Sequence, residues 1–298
     1  MSRKRLWLAL FVALAAAPAL AAPPPTVQAP SWILMEQHSG TVLAAHEADT
    51  PRPPASLTKI MTGFVVFDAV VGGQLTLDDQ ARISRRAWKA GRAGSRTFVR
   101  QGSKVRIVDL MRGMAVQSGN DSATALAERV AGSEAAFVAR MNAASEVLGL
   151  SNSVWANPTG LDHPVQRSTA RDLALLTRAL ITLHPEAYAF YGEREFEWDG
   201  VKQHTRNPLL AQGNTKHGAP RGYAGADGVK TGFTAAAGYC MVGSAVRDGQ
   251  RLIVVVLGSA NDRSRAQDVR ALLDWGFAEA AGSARDPLLD STAPAPAR

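Results

Sequence analysis

Ser56 and Lys59 stand three residues apart at the start of an apolar run, 57–71, that predicts a helix. Residues three apart project from one face of a helix, so the two side chains can meet. A serine hydroxyl needs a neighbouring base to act as a nucleophile, and a lysine can serve if burial and nearby positive charge lower its pKa. The spacing therefore indicates a Ser-Lys acyl-transfer site. For this motif alone, a capping serine followed by a solvated lysine remains the alternative.

Two later triplets, Ser118-Gly119-Asn120 and Lys230-Thr231-Gly232, supply further polar groups that such a site needs. We expect Ser118 to hydrogen-bond Lys59 and to relay a proton to the leaving amine. A carboxamide both donates and accepts, so Asn120 can hold a substrate amide carbonyl and accept from Lys59. A helix-terminal turn also fits these residue types. The three motifs in this order are far more specific than any one of them.

The second triplet follows a valine and predicts an edge strand that faces a cleft. An extended peptide can pair with such an edge through main-chain hydrogen bonds. We expect Lys230 and the Thr231 hydroxyl to hold a terminal carboxylate, while Gly232 leaves room for close backbone approach. The backbone N–H groups of Ser56 and Phe233 are the candidates for an oxyanion hole. An ordinary exposed strand end is the alternative.

The elements that position these motifs come from the two ends and the middle of the chain. Two short N-terminal strands are matched by a C-terminal pair around Asp248-Gly249, a strong hairpin signal. The strands are predicted at 31–36, 41–44, 238–246 and 251–258, and the helices at 108–116, 121–130, 133–148, 169–181 and 263–280. Ser122 or Asp121 is expected to cap the helix 121–130, and Thr169 the helix 169–181. The basic segment 75–104 indicates an irregular loop. This order predicts an α/β (α+β) fold, with an antiparallel sheet flanked by helices and a mainly helical lobe.

The first 22 of the 298 residues have a basic start, a short apolar middle and a small-x-small end, which predicts a secretory signal peptide, 1–22. Without its three basic residues the formal net charge of +7 becomes +4. No basic run is interleaved with aromatic residues, so no nucleic-acid partner is expected. We divide the rest into a flexible leader, 23–30, a catalytic domain, 31–282, and a disordered tail, 283–298.

A single cysteine, Cys240, excludes an internal disulfide, and its strand-like setting favours a buried apolar residue over a reactive thiol. The six histidines are scattered and lack the spacing of metal ligands. No metal site and no cofactor are therefore predicted.

From Ser31 to Phe277 the chain resembles the low-molecular-mass penicillin-binding proteins, specifically the serine-type D-alanyl-D-alanine carboxypeptidases. The likeness rests on five segments: 55–59, 117–121, 207–210, 227–232 and 274–277. It implies a β-lactamase/transpeptidase-like fold and removal of the terminal D-alanine from peptidoglycan stem peptides. It also implies an acyl-enzyme on Ser56 with Lys59 as general base, acylation of Ser56 by β-lactam antibiotics, and a place for Arg206 near the carboxylate end of the site.

Three features depart from the usual pattern of that family. Phe233 stands where close relatives often have histidine, and the segment between Arg206 and Lys230 is lengthened. Many members also continue into a β-rich domain and an amphipathic membrane helix, whereas this sequence ends after the catalytic domain. We therefore expect an exported protein, periplasmic or secreted, without a firm membrane anchor.

Three other functions stay open at this point. A DD-endopeptidase would use the same residues on peptidoglycan cross-links. A β-lactamase is less favoured because the loop glutamate on which class A enzymes depend for deacylation is not found. A catalytically inactive peptidoglycan-binding protein is disfavoured because all three motifs are intact.

Overall fold

A computed structural model describes residues 22–211 and 222–283. The predicted signal peptide up to residue 21, residues 212–221 of the lengthened segment, and all but the first residue of the predicted tail lie outside the described residues. The leader, 23–30, which was expected to be flexible, is hydrogen-bonded to the last helix. The N–H groups of Gln28 and Ala29 each donate to the Asp268 carboxylate of that helix at 3.0 Å. The domain boundaries otherwise stay predictions.

Nine strands and eight α-helices occupy the part of the chain that the structure describes. The strands are β1 Ser31–Glu36, β2 Val42–His46, β3 Gln80–Arg82, β4 Lys104–Arg106, β5 Glu195–Trp198, β6 Val201–His204, β7 Ala226–Thr234, β8 Gly238–Arg247 and β9 Gln250–Ser259. The helices are α1 Thr58–Val71, α2 Arg85–Arg92, α3 Ile107–Val116, α4 Asn120–Ala131, α5 Glu134–Leu148, α6 Ala170–Leu183, α7 Pro185–Gly192 and α8 Asp262–Ser283. A short 3₁₀ turn, Ala55–Leu57, precedes α1.

The main sheet confirms the prediction that both chain ends build one antiparallel structure. Its strand order is β2-β1-β9-β8-β7, so the strand with the Lys230 triplet lies at an edge. Asp248 and Gly249 have φ angles of 49° and 77°. Two consecutive positive φ angles fit the tight hairpin that joins twisted antiparallel strands.

Strand β9 is apolar on both faces because both are covered. Ile253, Val255 and Leu257 belong to the core that the helical lobe shares. The intervening side chains Leu252, Val254 and Val256 pack in a second cluster with residues of α8. Successive strand residues point to opposite faces, so a continuous apolar run marks a strand between two layers. The resulting rigid sheet fixes the position of edge strand β7.

The segment 75–104 is not the irregular loop that the sequence predicted, because it contains β3 and α2. Ser84 caps α2 by accepting from the Ala87 N–H. The helix buries Ala87 and Gly91, which are small, while its basic side chains face outward. A helical period is hard to recognise when the buried face has no large apolar residue.

The cap predicted for the helix after the Ser118 triplet is also wrong. Helix α4 begins at Asn120 and has no side-chain cap. Asp121 instead accepts from the Thr97 N–H at 2.9 and 3.0 Å through its two carboxylate oxygens. By contrast, the predicted cap of α6 is confirmed, since Thr169 accepts from the Asp172 N–H.

No helix in 22–211 or 222–283 has the length and apolarity needed to cross a bilayer. Over the same residues, no group of three or more His, Cys, Asp or Glu side chains is placed to hold a metal ion. Cys240 is buried, as expected for a strand residue of the core.

Candidate active site

Ser56 lies in the 3₁₀ turn ahead of α1, where the proline-rich loop ends. The Lys59 ammonium is 2.9 Å from the Ser56 hydroxyl oxygen. The three-residue spacing thus brings the Ser56 hydroxyl and the Lys59 amine into hydrogen-bond contact. Ser56 remains half-buried, so its hydroxyl is accessible from the cleft.

Lys59 is fully buried and has three hydrogen-bond acceptors. Besides Ser56, they are the Asn120 side-chain oxygen at 2.8 Å and the Thr159 carbonyl oxygen. An ammonium has three protons, so these acceptors use its whole capacity. Asn120 thus takes the accepting part of the role that the sequence predicted.

Burial lowers the pKa of Lys59 from 10.5 to about 7, assisted by the positive charge of Arg206. The carboxylate of Asp121 acts in the opposite direction, because it stabilises the charged amine. Near neutral pH a substantial fraction of Lys59 is therefore unprotonated. This agrees in direction with the lowered pKa that the motif required.

Ser118 does not make the hydrogen bond to Lys59 that the sequence predicted. Its hydroxyl is buried and has no hydrogen-bond partner among the residues that the structure describes. The backbone at Ser118 has a φ of 62°, the left-handed region that a non-glycine residue rarely adopts. Lys59 already donates hydrogen bonds to three other acceptors. The Ser118 hydroxyl therefore lies in the wall of the cleft without a partner among the described residues.

Lys230 is buried beside the site. Its ammonium donates to the Thr231 carbonyl at 2.9 Å. Burial and the nearby charges of Lys59, Arg206 and Arg265 lower the Lys230 pKa well below its usual range. Thr231 lines the cleft, whereas Lys230 is not among the described residues that line it. The expected contact of Lys230 with a terminal carboxylate stays a prediction.

Gly232 brings strand β7 against the nucleophile. A Cβ atom there would lie 3.0 Å from the Ser56 backbone nitrogen and 3.1 Å from the Ala55 Cβ. The next residue, Phe233, lines the cleft with an exposed ring whose centroid is 4.4 Å from that of Tyr239. Glycine is therefore needed at 232 because a side chain there would crowd the segment that carries Ser56.

Arg206 lies in the wall of the same cleft, where its Nε donates to the Gln117 side-chain oxygen at 3.1 Å. The cleft has a volume of about 1150 Å³. Ser56, Ser118, Asn120, Thr231, Gly232, Phe233 and Arg206 all line it. Residues from four distant segments of the sequence thus share one cavity.

The sequence reasoning missed Thr159 and Gly160, although their segment was recognisable as a turn. Asn157 accepts from the N–H groups of Thr159 and Gly160 at 3.1 and 2.8 Å, which fixes the turn. A Cβ atom at Gly160 would lie only 1.8 Å from the Ala55 carbonyl oxygen. The turn is therefore held directly against the nucleophile's own loop and presents its Thr159 carbonyl to Lys59.

Known proteins are similar to this chain in sequence and fold. A family model described as Peptidase_S11, D-alanyl-D-alanine carboxypeptidase, matches residues 18–261. D-alanyl-D-alanine carboxypeptidase DacC of Escherichia coli (strain K12) is 45% identical over 257 residues, which are 85% of this chain and 62% of DacC. The chain thus spans about three fifths of that relative's length.

Two solved structures show the likeness in three dimensions. Penicillin-binding protein 6B from Escherichia coli is 39% identical with a TM-score of 0.80, over 88% of this chain and 81% of that one. Penicillin-binding protein D2 from Listeria monocytogenes, in its ampicillin-bound form, is 32% identical with a TM-score of 0.75, over 86% of this chain and 100% of that one.

Proposed function

The chain belongs to the D-alanyl-D-alanine carboxypeptidase family of peptidases, and we propose that it removes the terminal D-alanine from peptidoglycan stem peptides. The observation that supports this most directly is the buried Lys59 amine, 2.9 Å from the Ser56 hydroxyl and with a pKa of about 7. A base with a pKa close to the working pH is the most effective proton acceptor.

In the acylation step, neutral Lys59 takes the Ser56 proton while the serine oxygen bonds to the carbonyl carbon of the penultimate D-alanine. The C–N bond then breaks, and the terminal D-alanine leaves as an amine that has gained a proton. Ser118 is the proposed relay: its hydroxyl, unpartnered among the described residues, gives that proton to the amine and regains one from protonated Lys59, so that both groups return to their starting states. Water next adds to the ester carbonyl and releases Ser56.

The remaining site residues hold the substrate. Asn120 uses its oxygen to accept from Lys59, so its NH₂ group is left to donate to the acyl amide carbonyl. Edge strand β7 pairs with the extended peptide, and the N–H groups of Ser56 and Phe233 form the oxyanion hole. Thr231 and Arg206 bind the terminal carboxylate. Lys230 supplies positive charge beside Thr231, whose carbonyl accepts from its ammonium.

The same chemistry accounts for β-lactam antibiotics as acylating inhibitors. One relative, penicillin-binding protein D2, is known in an ampicillin-bound form, which supports binding of such compounds. We further propose an exported enzyme that needs no cofactor.

The test combines intact-protein mass spectrometry with an assay of D-alanine release. Penicillin should add its own mass to the protein, on the peptide that contains Ser56, and the adduct should persist. Ser56→Ala should form no adduct and release no D-alanine. Undiminished release by that variant, or rapid penicillin hydrolysis by the unmodified protein, would contradict the proposal.

A further inference from the structure

Helix α2 carries a row of cations along one side. Arg85, Lys89 and Arg92 follow one another at intervals of four and three residues, and all three are exposed. Residues at these intervals are neighbours on a helix surface, where like charges repel and lower helix stability. None of the three has a carboxylate within ion-pair distance among the described residues, whereas Arg86 of the same helix lies 3.8 Å from Glu134. The helix therefore keeps three cations that the described residues do not neutralise.

The strands on either side of α2 in the sequence repeat this pattern. Arg82 of β3 lies directly opposite Lys104 of β4, and both are exposed. Like charges that face each other on neighbouring strands are destabilising. Arg106 of the same ribbon pairs with Asp109, but neither Arg82 nor Lys104 has such a partner among the described residues. An external anion would relieve the repulsion that remains in both elements.

Aromatic rings lie beside two of the free arginines. Trp88, Arg92, Arg96 and Phe98 line a common hollow of about 210 Å³. The Arg92 guanidinium carbon lies 4.9 Å from the centre of the Trp88 ring, and that of Arg96 lies 4.4 Å from the centre of the Phe98 ring. Stacking on a ring leaves the N–H edges of a guanidinium free, and those edges match the oxygens of a phosphate. Both arginines are exposed and lack a carboxylate partner among the described residues, so both are available to an external anion.

Two large apolar side chains project into solvent beside these cations. Phe98 is 46% exposed and Val201 is 45% exposed, and both line a hollow of about 410 Å³ that Arg96 shares. Phe98 has a φ of 70°, which is costly for a bulky residue. The Thr97 carbonyl accepts from the Gln203 side chain at 3.0 Å and so fixes the backbone that displays the ring. A soluble polyanion needs only the charges, whereas a lipid–water interface also takes up exposed apolar side chains.

These side chains together form a surface that we name the basic face: Arg85, Trp88, Lys89, Arg92, Arg96 and Phe98. We propose that the basic face binds the surface of a membrane rich in anionic phospholipids. The lipid phosphates accept from the guanidinium and ammonium groups, and the two aromatic rings lie at the level of the headgroups. Charge complementarity and the exposed rings together identify this partner. Such binding is peripheral and is reversed by salt, so it differs from a firm membrane anchor.

The basic face lies close to the entrance of the cleft. The hollow that contains Arg96 and Phe98 also shares Gln117 and Arg206 with the cleft. Contact of the basic face with a membrane therefore holds the cleft near the lipid surface. The inference goes beyond the proposed function and does not depend on it, because binding of the membrane uses no group of the Ser56–Lys59 chemistry.

The test measures sedimentation of the purified protein with two kinds of vesicle. One contains phosphatidylcholine alone, and the other contains phosphatidylcholine mixed with anionic phosphatidylglycerol. The variant is Arg92→Gln/Arg96→Gln. Its matched control, Arg140→Gln/Arg167→Gln, removes the same charge from exposed residues that line none of the three hollows. Circular dichroism and penicillin adduct formation report whether each variant is folded.

The unmodified protein should bind the anionic vesicles and not the neutral ones. Arg92→Gln/Arg96→Gln should bind the anionic vesicles at least about tenfold more weakly, because each basic residue near an anionic surface strengthens binding about fivefold. The control should change the affinity less than about twofold, since charges farther from the lipid than the screening length contribute little. Raising the ionic strength from about 0.05 to 0.5 M shortens that length severalfold and should release the unmodified protein.

A second variant, Phe98→Asn, tests the aromatic contribution without a change of charge. Asparagine tolerates positive φ angles, so the backbone at this position can be kept. Loss of the ring should weaken binding to the anionic vesicles about threefold or more, because apolar surface no longer enters the interface. Its control is Val165→Asn, which removes an apolar side chain that is 48% exposed and lines none of the three hollows.

Equal losses in both arginine double variants would overturn the proposal, because they would reflect net charge alone. Equal binding of neutral and anionic vesicles would overturn it as well. If linear polyphosphate bound the protein while Phe98→Asn bound vesicles normally, the partner would be a soluble polyanion and not a membrane. Absence of vesicle binding with a normal penicillin adduct would refute this inference alone, whereas vesicle binding without an adduct would refute only the proposed function.

Discussion

Two cationic regions lie on either side of Arg206, and they use positive charge in opposite ways. Lys59 is fully buried, donates hydrogen bonds to three acceptors, and has a pKa of about 7. Arg92 and Arg96 are exposed and have no carboxylate partner among the described residues. Burial penalises a charged amine, whereas a guanidinium keeps its charge throughout the physiological range. The first region is therefore suited to proton transfer and the second to holding an anion.

Lys59→Arg should have the largest effect, because it places a permanent cation where a neutral base is needed. We expect the penicillin acylation rate to fall by about 10³-fold or more, since a positioned general base typically contributes 10²- to 10⁴-fold. The rate is measured by quenched-flow mass spectrometry, with circular dichroism as the control for folding. A well-folded variant that acylates at the normal rate would rule out proton abstraction by Lys59.

Gly160→Ala tests whether the Thr159 turn positions the buried amine. The new Cβ would meet the Ala55 carbonyl oxygen at 1.8 Å, at a φ of 82°. We expect a loss of about 2–4 kcal/mol in unfolding free energy, of the order seen for strained and overpacked sites, and acylation at least tenfold slower.

Gly73→Ala is the matched control for this substitution. Gly73 also has a positive φ, 69°, but no atom lies within 4 Å of the added Cβ. The control should lose only about 1 kcal/mol from backbone strain and acylate normally. Chemical denaturation and acylation kinetics of both variants provide the measurement, and equal stability losses would show that the contact with Ala55 is unimportant.

The pH dependence of acylation measures the difference between the two regions directly. Because the folded-state pKa of Lys59 is about 7, the neutral fraction rises with pH. The rate should therefore increase about tenfold per pH unit below 7 and level off above it. Arg206 lowers this pKa, so Arg206→Gln should move the profile to higher pH. A flat profile between pH 5 and about 9 would exclude a titrating amine as the base.

The sequence predicted the elements in which a local pattern decides the structure. The Asp248-Gly249 turn specifies its hairpin through two positive φ angles, and Thr169 specifies its cap through one side chain. The Ser56–Lys59 contact follows from helical periodicity in the same way. Each depends on residues fewer than five positions apart, so the chain itself fixes their geometry.

Prediction from the sequence failed where a segment is stabilised by contacts with residues far away along the chain. Helix α2 has no large buried apolar residue, and its Gly91 lies against Asp121 of another helix. Neighbours from other elements likewise decide which groups donate to Asp121 and why the Ser118 hydroxyl lacks a hydrogen bond to Lys59. They also decide that Lys230 is buried. None of these follows from residue types alone.

By itself the sequence determined the chemical groups of the site, their order and the strands and helices that hold them. Only the tertiary structure decided which groups meet. The Thr159 carbonyl, 100 residues away in the sequence, accepts a hydrogen bond from Lys59, and burial lowers the pKa of Lys59 to about 7. The tertiary structure also leaves Arg92 and Arg96 exposed and without a carboxylate partner among the described residues. The physical reason is that desolvation and hydrogen-bond competition depend on the surroundings of a side chain in space, which the chain's local order does not specify.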